Sequence, residues 1–238
     1  MQNYNPNVPN HGTNTKKKMT RLVIFDLDGT LIDTMEDIAG ACNHALQECG
    51  YPARPLGDYN QLVGRGIFNL CLTALPEEER SEENGRKVLE RFKPYYHEHI
   101  CDKTRPYEGI IDMLDTLKAN GISFAVASNK YQEGTEFLIG EIFGKYDFVS
   151  ILGQRDGQPI KPDPQIVIEA MGRMSGITKE EVVYCGDSDV DMQTGINAGV
   201  RTIGVTWGFR TREELASYSP WMLADHPSEI ASAILSEN

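Results

Sequence analysis

At 238 residues the chain can bury a sizeable core, as one large domain or as one domain with a small insert. Its 40% hydrophobic and 24% charged content is that of an ordinary globular protein, and no apolar run approaches the ~18 residues of a membrane span. A net charge of −12 argues against nucleic-acid and anionic-membrane partners, and means that an anionic substrate needs local positive charge from a metal, Lys or Arg.

The five cysteines, Cys42, Cys49, Cys71, Cys101 and Cys185, are odd in number, form no CxxC and follow no secretory segment. They predict reduced thiols and a cytoplasmic location. Cys42 and Cys49 are spaced to share one helix face, which points to core packing rather than metal binding.

Residues 1–19 are polar, rich in Asn and Pro, and close on Lys16-Lys17-Lys18-Met19; they predict a disordered tail with solvated lysines. Leu22 to Phe25 run directly into Asp26-Leu27-Asp28-Gly29-Thr30, which predicts a buried parallel strand closed by a turn. Residues i and i+2 of an extended segment face the same way. Asp26 and Asp28 therefore point into one site at the strand's carboxyl end, where open α/β sheets bind ligands. Asp and Gly also favour plain surface turns, so this stretch alone leaves both readings open.

Asp33 with Glu36 three residues on predicts a capping box. Ile38, Ala41, Cys42, Ala45, Leu46 and Cys49 follow at helical spacing until Gly50 and Pro52 stop the helix. Leu62–Gly66 predicts a loop before a short helix through Leu75, and Pro76 opens an acidic segment and a second long helical stretch to about His99. Alternation resumes at Tyr107, with a helix over Ile110–Leu117 and a strand over Ser123–Ala127 that finishes in Ser128-Asn129-Lys130. A helix around Thr135–Ile142, a strand over Phe148–Leu152 and a helix from Pro164 to about Ser175 follow. The strand Val182–Cys185 ends in Gly186-Asp187-Ser188-Asp189-Val190-Asp191; a helix to Ala198 and the strand Arg201–Val205 come next. The fold class is therefore α/β, a parallel sheet flanked by helices. A core of residues 20–33 and 104–238 is interrupted by an all-helical domain at 34–103.

Three predicted strands thus end in polar groups: Asp26 and Asp28, Ser128 and Asn129, Asp187 and Asp191. With Lys161 on a proline-stiffened loop they make a coherent phosphate site. Two close carboxylates are not both comfortably ionised without a cation. Mg²⁺ would keep Asp26 an anion and a nucleophile while Asp28 holds a proton as general acid. Asp187 joins Asp26 on the ion, a hard cation that prefers oxygen. The Ser128 hydroxyl, neighbouring backbone N–H groups and the Lys161 ammonium hold the phosphoryl oxygens. Asp191, in a first helical turn, reads as a capping carboxylate or one standing behind the metal. Asp189 reads as a helix-start acid, Lys130 as a solvated neighbour of Asn129, and Arg201 as a surface charge. Trp207 and Phe209 read as packing residues, and His97 and His99 lack partner ligands. Gly64 and Gly66 flank Arg65 in a flexible loop, so Gly64 and Arg65, with Asn129, are the expected substrate contacts.

DLDGT at 26–30, SN at 128–129, KPDP at 161–164 and GDSDVD at 186–191 resemble, in order and strand-end placement, the motifs of the haloacid dehalogenase superfamily of Mg²⁺-dependent phosphohydrolases. The resemblance covers essentially all of residues 20–238. It implies that Asp26 forms a phosphoaspartyl intermediate, that Asp28 protonates the leaving group and then activates water, and that the Asp28 backbone carbonyl touches the metal. It also implies that the helical insertion is a cap closing over the site. Within the superfamily, FDLDGTLIDT, VGRG at 63–66, GVTWGFR at 204–210 and Glu213-Glu214-Leu215 resemble phosphoglycolate phosphatases; Glu108 and Gly195 depart from that group, which often has Pro and Ala there.

The expected activity is Mg²⁺-dependent hydrolysis of a small phosphorylated metabolite, 2-phosphoglycolate first, by a monomer or homodimer. Inorganic pyrophosphatase activity and a sugar-phosphate mutase of the β-phosphoglucomutase type are the alternatives. Dehalogenation needs no acid at Asp28. A phosphonate hydrolase needs a cap lysine, and residues 34–86 contain none. A binding module on an inactive phosphatase fold has no need of Asp26, Asp28, Ser128, Lys161 and Asp187 together.

Overall fold

The computed structural model describes residues 19–237, so the expected tail lies, but for Met19, outside the described residues. Leu22–Phe25 form β1, every residue of which is fully buried. Val23 and Phe25 pack into one hydrophobic cluster, Leu22 and Ile24 into a second on the opposite face, as the period of two requires for a strand covered on both sides.

The chain then makes β2 (Ile32–Asp33), α1 (Met35–Glu48), α2 (Tyr59–Leu62), α3 (Ile67–Ala74), α4 (Glu82–His99) and β3 (Arg105–Pro106). β2 and β3 pair antiparallel, so a two-stranded ribbon fastens both ends of the helical excursion. Asp37 reinforces that neck: its buried carboxylate accepts the backbone N–H of Lys103 and of Thr104 and the Thr104 hydroxyl at 2.8–3.1 Å. The expected capping box is not formed. The N-cap is Thr34; Asp33, one residue before it, accepts the Met35 N–H at 3.1 Å, and Glu36 turns away to pair with Lys103 at 2.6 Å. α1 and α3 pack on α4, and Leu46, Leu70, Val88 and Phe92 join the same buried cluster as β1.

Beyond the neck come α5 (Ile110–Ala119), β4 (Ser123–Tyr131), α6 (Gln132–Phe143), β5 (Ile151–Gln154), α7 (Gln165–Gly172), β6 (Val182–Gly186), α8 (Asp189–Ala198), β7 (Arg201–Val205), α9 (Arg212–Ala216), β8 (Met222–Ala224) and α10 (Pro227–Glu237). The parallel sheet runs β5-β4-β1-β6-β7-β8. From β1 the chain moves outward through β4 and β5, then returns to the other side of β1 for β6, β7 and β8. Such a reversal opens a crevice at the carboxyl ends of the central strands. Phe25 is in register with Val126 and with Cys185, so Asp26, Ser128 and Asp187 converge there.

β4 is longer than expected. It continues through Ser128, Asn129 and Lys130 because Tyr131 pairs with Gln154 after a register shift. α6 begins three residues early, at Gln132, and α7 ends at Gly172 rather than near Ser175. Gly195, a departure from the phosphoglycolate phosphatase pattern, has a local cause: a Cβ there would lie 2.0 Å from Thr202 Cγ2, a side chain β7 directs into α8.

Candidate active site

Asp26, Asp187 and Asp191 are all buried, and ligand oxygens from each lie within 4.8 Å of one another. Burial, then the Asp191 charge, pushes Asp26 up to about 7 against the pull of Lys161. Asp187 is held well above the usual carboxylate range by burial first, then by Asp191 and Asp26. Such crowding costs free energy until a cation relieves it. Asp187 is oriented at both oxygens: Oδ1 accepts the Thr30 hydroxyl at 2.9 Å and Oδ2 the Phe209 N–H at 2.8 Å. Each oxygen keeps a lone pair, so the donor set fits a hard divalent cation. The backbone makes room for it. Gly29 sits at φ +86°, and a Cβ there would lie 2.3 Å from Asp187 Oδ2.

Lys161 is the local counter-charge. Its ammonium donates to Asp191 Oδ1 at 2.7 Å and to the Tyr184 hydroxyl at 3.0 Å, and it forms an ion pair with Asp26 Oδ1 at 2.8 Å, an oxygen that has no hydrogen-bond partner among the described residues. Burial alone would pull this ammonium down, but Asp191 and Asp26 hold it well above the ordinary lysine value. Asp191 caps α8 as well: its Oδ2 accepts the Ser188 N–H at 3.0 Å and the Ser188 hydroxyl at 2.5 Å. It is thus both a helix cap and the anchor of Lys161, beside the acids rather than apart from them.

Asp26, Asp28, Ser128, Asn129 and Lys130 form the floor of a cavity of about 40 Å³, and its roof is Ile38, Val63, Gly64, Gly66, Ile67, Leu70, Phe92 and Tyr96 from the helical segment. A residue model of haloacid dehalogenase-like hydrolases matches this chain over residues 23–205, from β1 to the end of β7. The chain belongs to that family.

Among relatives of this haloacid dehalogenase-like hydrolase, phosphoglycolate phosphatase 1 of Pseudomonas aeruginosa is 32% identical over 213 residues, covering 88% of this chain and 78% of that one. A phosphoglycolate phosphatase of Agrobacterium fabrum is 31% identical, covering 92% of this chain and 94% of the relative. A solved structure from Lactobacillus delbrueckii subsp. bulgaricus, assigned as a phosphoglycolate phosphatase, superposes with a TM-score of 0.84 at 31% identity, covering 91% of this chain and 98% of that one. The hydrolase is of phosphatase type, and among the described residues no helix is long and apolar enough to cross a membrane.

Arg65, Asn129 and Lys130 of this hydrolase each have partners that the sequence does not show. Arg65 is not among the cavity-lining residues: its half-exposed guanidinium pairs with Asp189, outside the cavity. Asn129 lines the cavity, but its amide stitches loops together, donating to Gly64 O at 3.0 Å and Lys161 O at 3.1 Å and accepting the Lys161 N–H at 2.8 Å. Lys130 is not solvated. Its side chain is 3% exposed, and its ammonium donates to Asp28 Oδ1 and Oδ2 at 2.9 and 3.0 Å and to the Tyr96 hydroxyl at 2.7 Å. The signal was present in the spacing: Ser128 and Lys130 stand at i and i+2 on β4, as Asp26 and Asp28 do beside them after β1.

Other residues also take sharper roles. Asp189 starts α8 and receives both Arg65 and the buried Arg210, whose guanidinium also donates to Asn60 O and Val63 O and so ties the core to the helical segment. Arg201 is no free surface charge: it pairs with Glu237 and lies 4.5 Å over the Trp221 ring. Trp207 donates its Nε1–H to Thr30 O at 3.0 Å, and Phe209 is buried, so both pack the last loop. The five cysteines are free.

Proposed function

We propose that this chain is a Mg²⁺-dependent phosphatase of small phosphorylated metabolites, with 2-phosphoglycolate the leading substrate, acting through a phosphoaspartate on Asp26. The observation that supports this most is the Asp26 carboxylate lying against Lys161 at 2.8 Å, inside a group of buried acids, at the floor of a small cavity. Asp26, Asp187 and the Asp28 backbone carbonyl would hold Mg²⁺, with Asp191 behind them. The ion would neutralise the acids and the phosphoryl oxygens.

Asp26 attacks phosphorus, forming an Asp26–phosphorus bond as the bond to the leaving oxygen breaks. Asp28 gives its proton to that oxygen. The Ser128 hydroxyl and Lys161 ammonium hold the phosphoryl oxygens as charge develops on them. Water then attacks phosphorus, Asp28 takes its proton, and Asp26 leaves as carboxylate. Residues 34–103 serve as a cap whose apolar roof excludes water from the acyl phosphate.

The apolar roof lying close over the acids suits a small leaving group better than a large one. The free cysteines suit a reducing, cytoplasmic setting. The test is a screen of phosphoglycolate, pyrophosphate and hexose phosphates with Mg²⁺ and with excess chelator. Phosphoglycolate hydrolysed fastest, and silenced by chelator, supports the reading. Preference for pyrophosphate, interconversion of glucose 1- and 6-phosphates, or full activity in chelator would overturn it.

A further inference from the structure

A buried lysine is costly unless each of its donors is matched, and the reaction outlined above assigns no task to Lys130. Its surroundings supply one. The hydrogen bonds that the described residues give to the Asp28 carboxylate come from the Lys130 ammonium, at 2.9 and 3.0 Å to the two oxygens. An ammonium placed evenly between two oxygens fixes the rotation of the carboxylate about its Cβ–Cγ bond. The remaining donor of Lys130 goes to Tyr96, which belongs to α4 in the helical segment. The Tyr96 ring is itself held, stacked on Phe92 at 5.0 Å and met edge-on by Tyr131 at 6.5 Å.

We propose that Lys130 is a positioning residue that aims the Asp28 carboxylate at the leaving-group oxygen, and that Tyr96 holds Lys130 from across the interface. Docking of α4 over the end of β4 and alignment of the acid then become a single event. This rests on the function proposed above, in which Asp28 moves the proton. Because Lys130 acts through Asp28, its removal matters only while Asp28 can still do its work.

The test is a double-mutant cycle on the Mg²⁺-loaded protein, with kcat and KM measured on the best ester from the screen. Asp28→Asn should lower kcat roughly 10²–10⁴-fold. Lys130→Met, which keeps the length and apolar stem, should lower kcat roughly 10–100-fold and leave KM nearly unmoved. The Lys130→Met/Asp28→Asn double variant should be no slower than Asp28→Asn alone. Tyr96→Phe keeps the ring and should show a smaller kcat loss that vanishes in the Lys130→Met background. Should Lys130→Met fail to fold, Tyr96→Phe combined with Asp28→Asn carries the same test.

Losses that multiply in the double variants would overturn the proposal, since they mark Lys130 as independent of Asp28. A raised KM at unchanged kcat would overturn it too, making Lys130 a leaving-group contact. Full activity of Asp28→Asn would strike at the reading of Asp28 itself. Wild-type rates in Lys130→Met beside an impaired Asp28→Asn would sink the Lys130 assignment alone.

Discussion

Lys161 and Lys130 are both buried, and each is paired to one of the two acids that follow β1. Their surroundings differ in one respect. Lys161 is held wholly from the α/β core, by Tyr184 on β6 and Asp191 on α8. Lys130 takes Asp28 from the core and Tyr96 from the helical segment. The surroundings of Asp26 are therefore built by one body, whereas those of Asp28, the proposed proton donor, are completed across an interface. A phosphoryl group is common to all candidate substrates, so its cradle can be rigid; the leaving group differs between them and, on the proposed reading, would lie under the helical roof.

The comparison breaks most sharply at the core acid. Asp26→Asn should abolish phosphate release, a loss of roughly 10⁴-fold or more. The same change removes one anion from a crowded buried cluster, so thermal unfolding should occur at the same temperature or higher without added metal. A variant that kept its activity, or that melted well below the parent, would deny that this cluster is a strained catalytic site.

Lys161→Ala comes next, because it leaves Asp26 and Asp191 buried without their cation. It should cost about 3–5 kcal/mol of stability by denaturant unfolding and slow formation of the phosphoaspartate roughly 10²-fold or more. Lys161→Arg should recover part of the rate, since charge counts for more than shape beside two carboxylates. Parental kinetics in Lys161→Ala would place the cradle elsewhere.

Arg65→Ala should do least. The pair with Asp189 is partly exposed and outside the cavity, and pairs near the surface contribute about 0–1 kcal/mol. Rates on phosphoglycolate and on an ester lacking its carboxylate should fall equally and by less than about fivefold. A loss confined to phosphoglycolate would return Arg65 to the substrate and shift specificity from the cavity floor to the loop.

Much of the chemistry was legible in the sequence because it sits in contiguous stretches. Leu22–Asp28 carries its own strand, turn and two acids facing one way. Ser188 and Asp191 carry a helix cap in four residues, and the structure forms it. What stayed illegible lay between stretches. Lys130 finds its acid 102 residues earlier, and Arg65 finds Asp189 124 residues later. Glu36 leaves its local capping partner for Lys103, 67 residues on. A lysine next to an asparagine reads as solvated because buried lysines are rare; its spacing from Ser128 gives the face it lies on but not the acid it meets.

The sequence by itself determined that this is an α/β chain with a helical excursion after β1, that acids and a serine stand at strand ends, and that a lysine stands on a proline-stiffened loop. Those features follow from periodicity and turn chemistry, which act over a few neighbouring residues. Only the tertiary structure decided which charges meet. Returning β6 to the side of β1 opposite β4 brings Asp187 and Asp191 to Asp26 and Lys161. Seating α4 over the end of β4 turns an apparent surface lysine into the partner of Asp28. Pairing of buried charges depends on shared volume rather than on spacing along the chain, and shared volume exists only once the sheet order and the helical roof are in place.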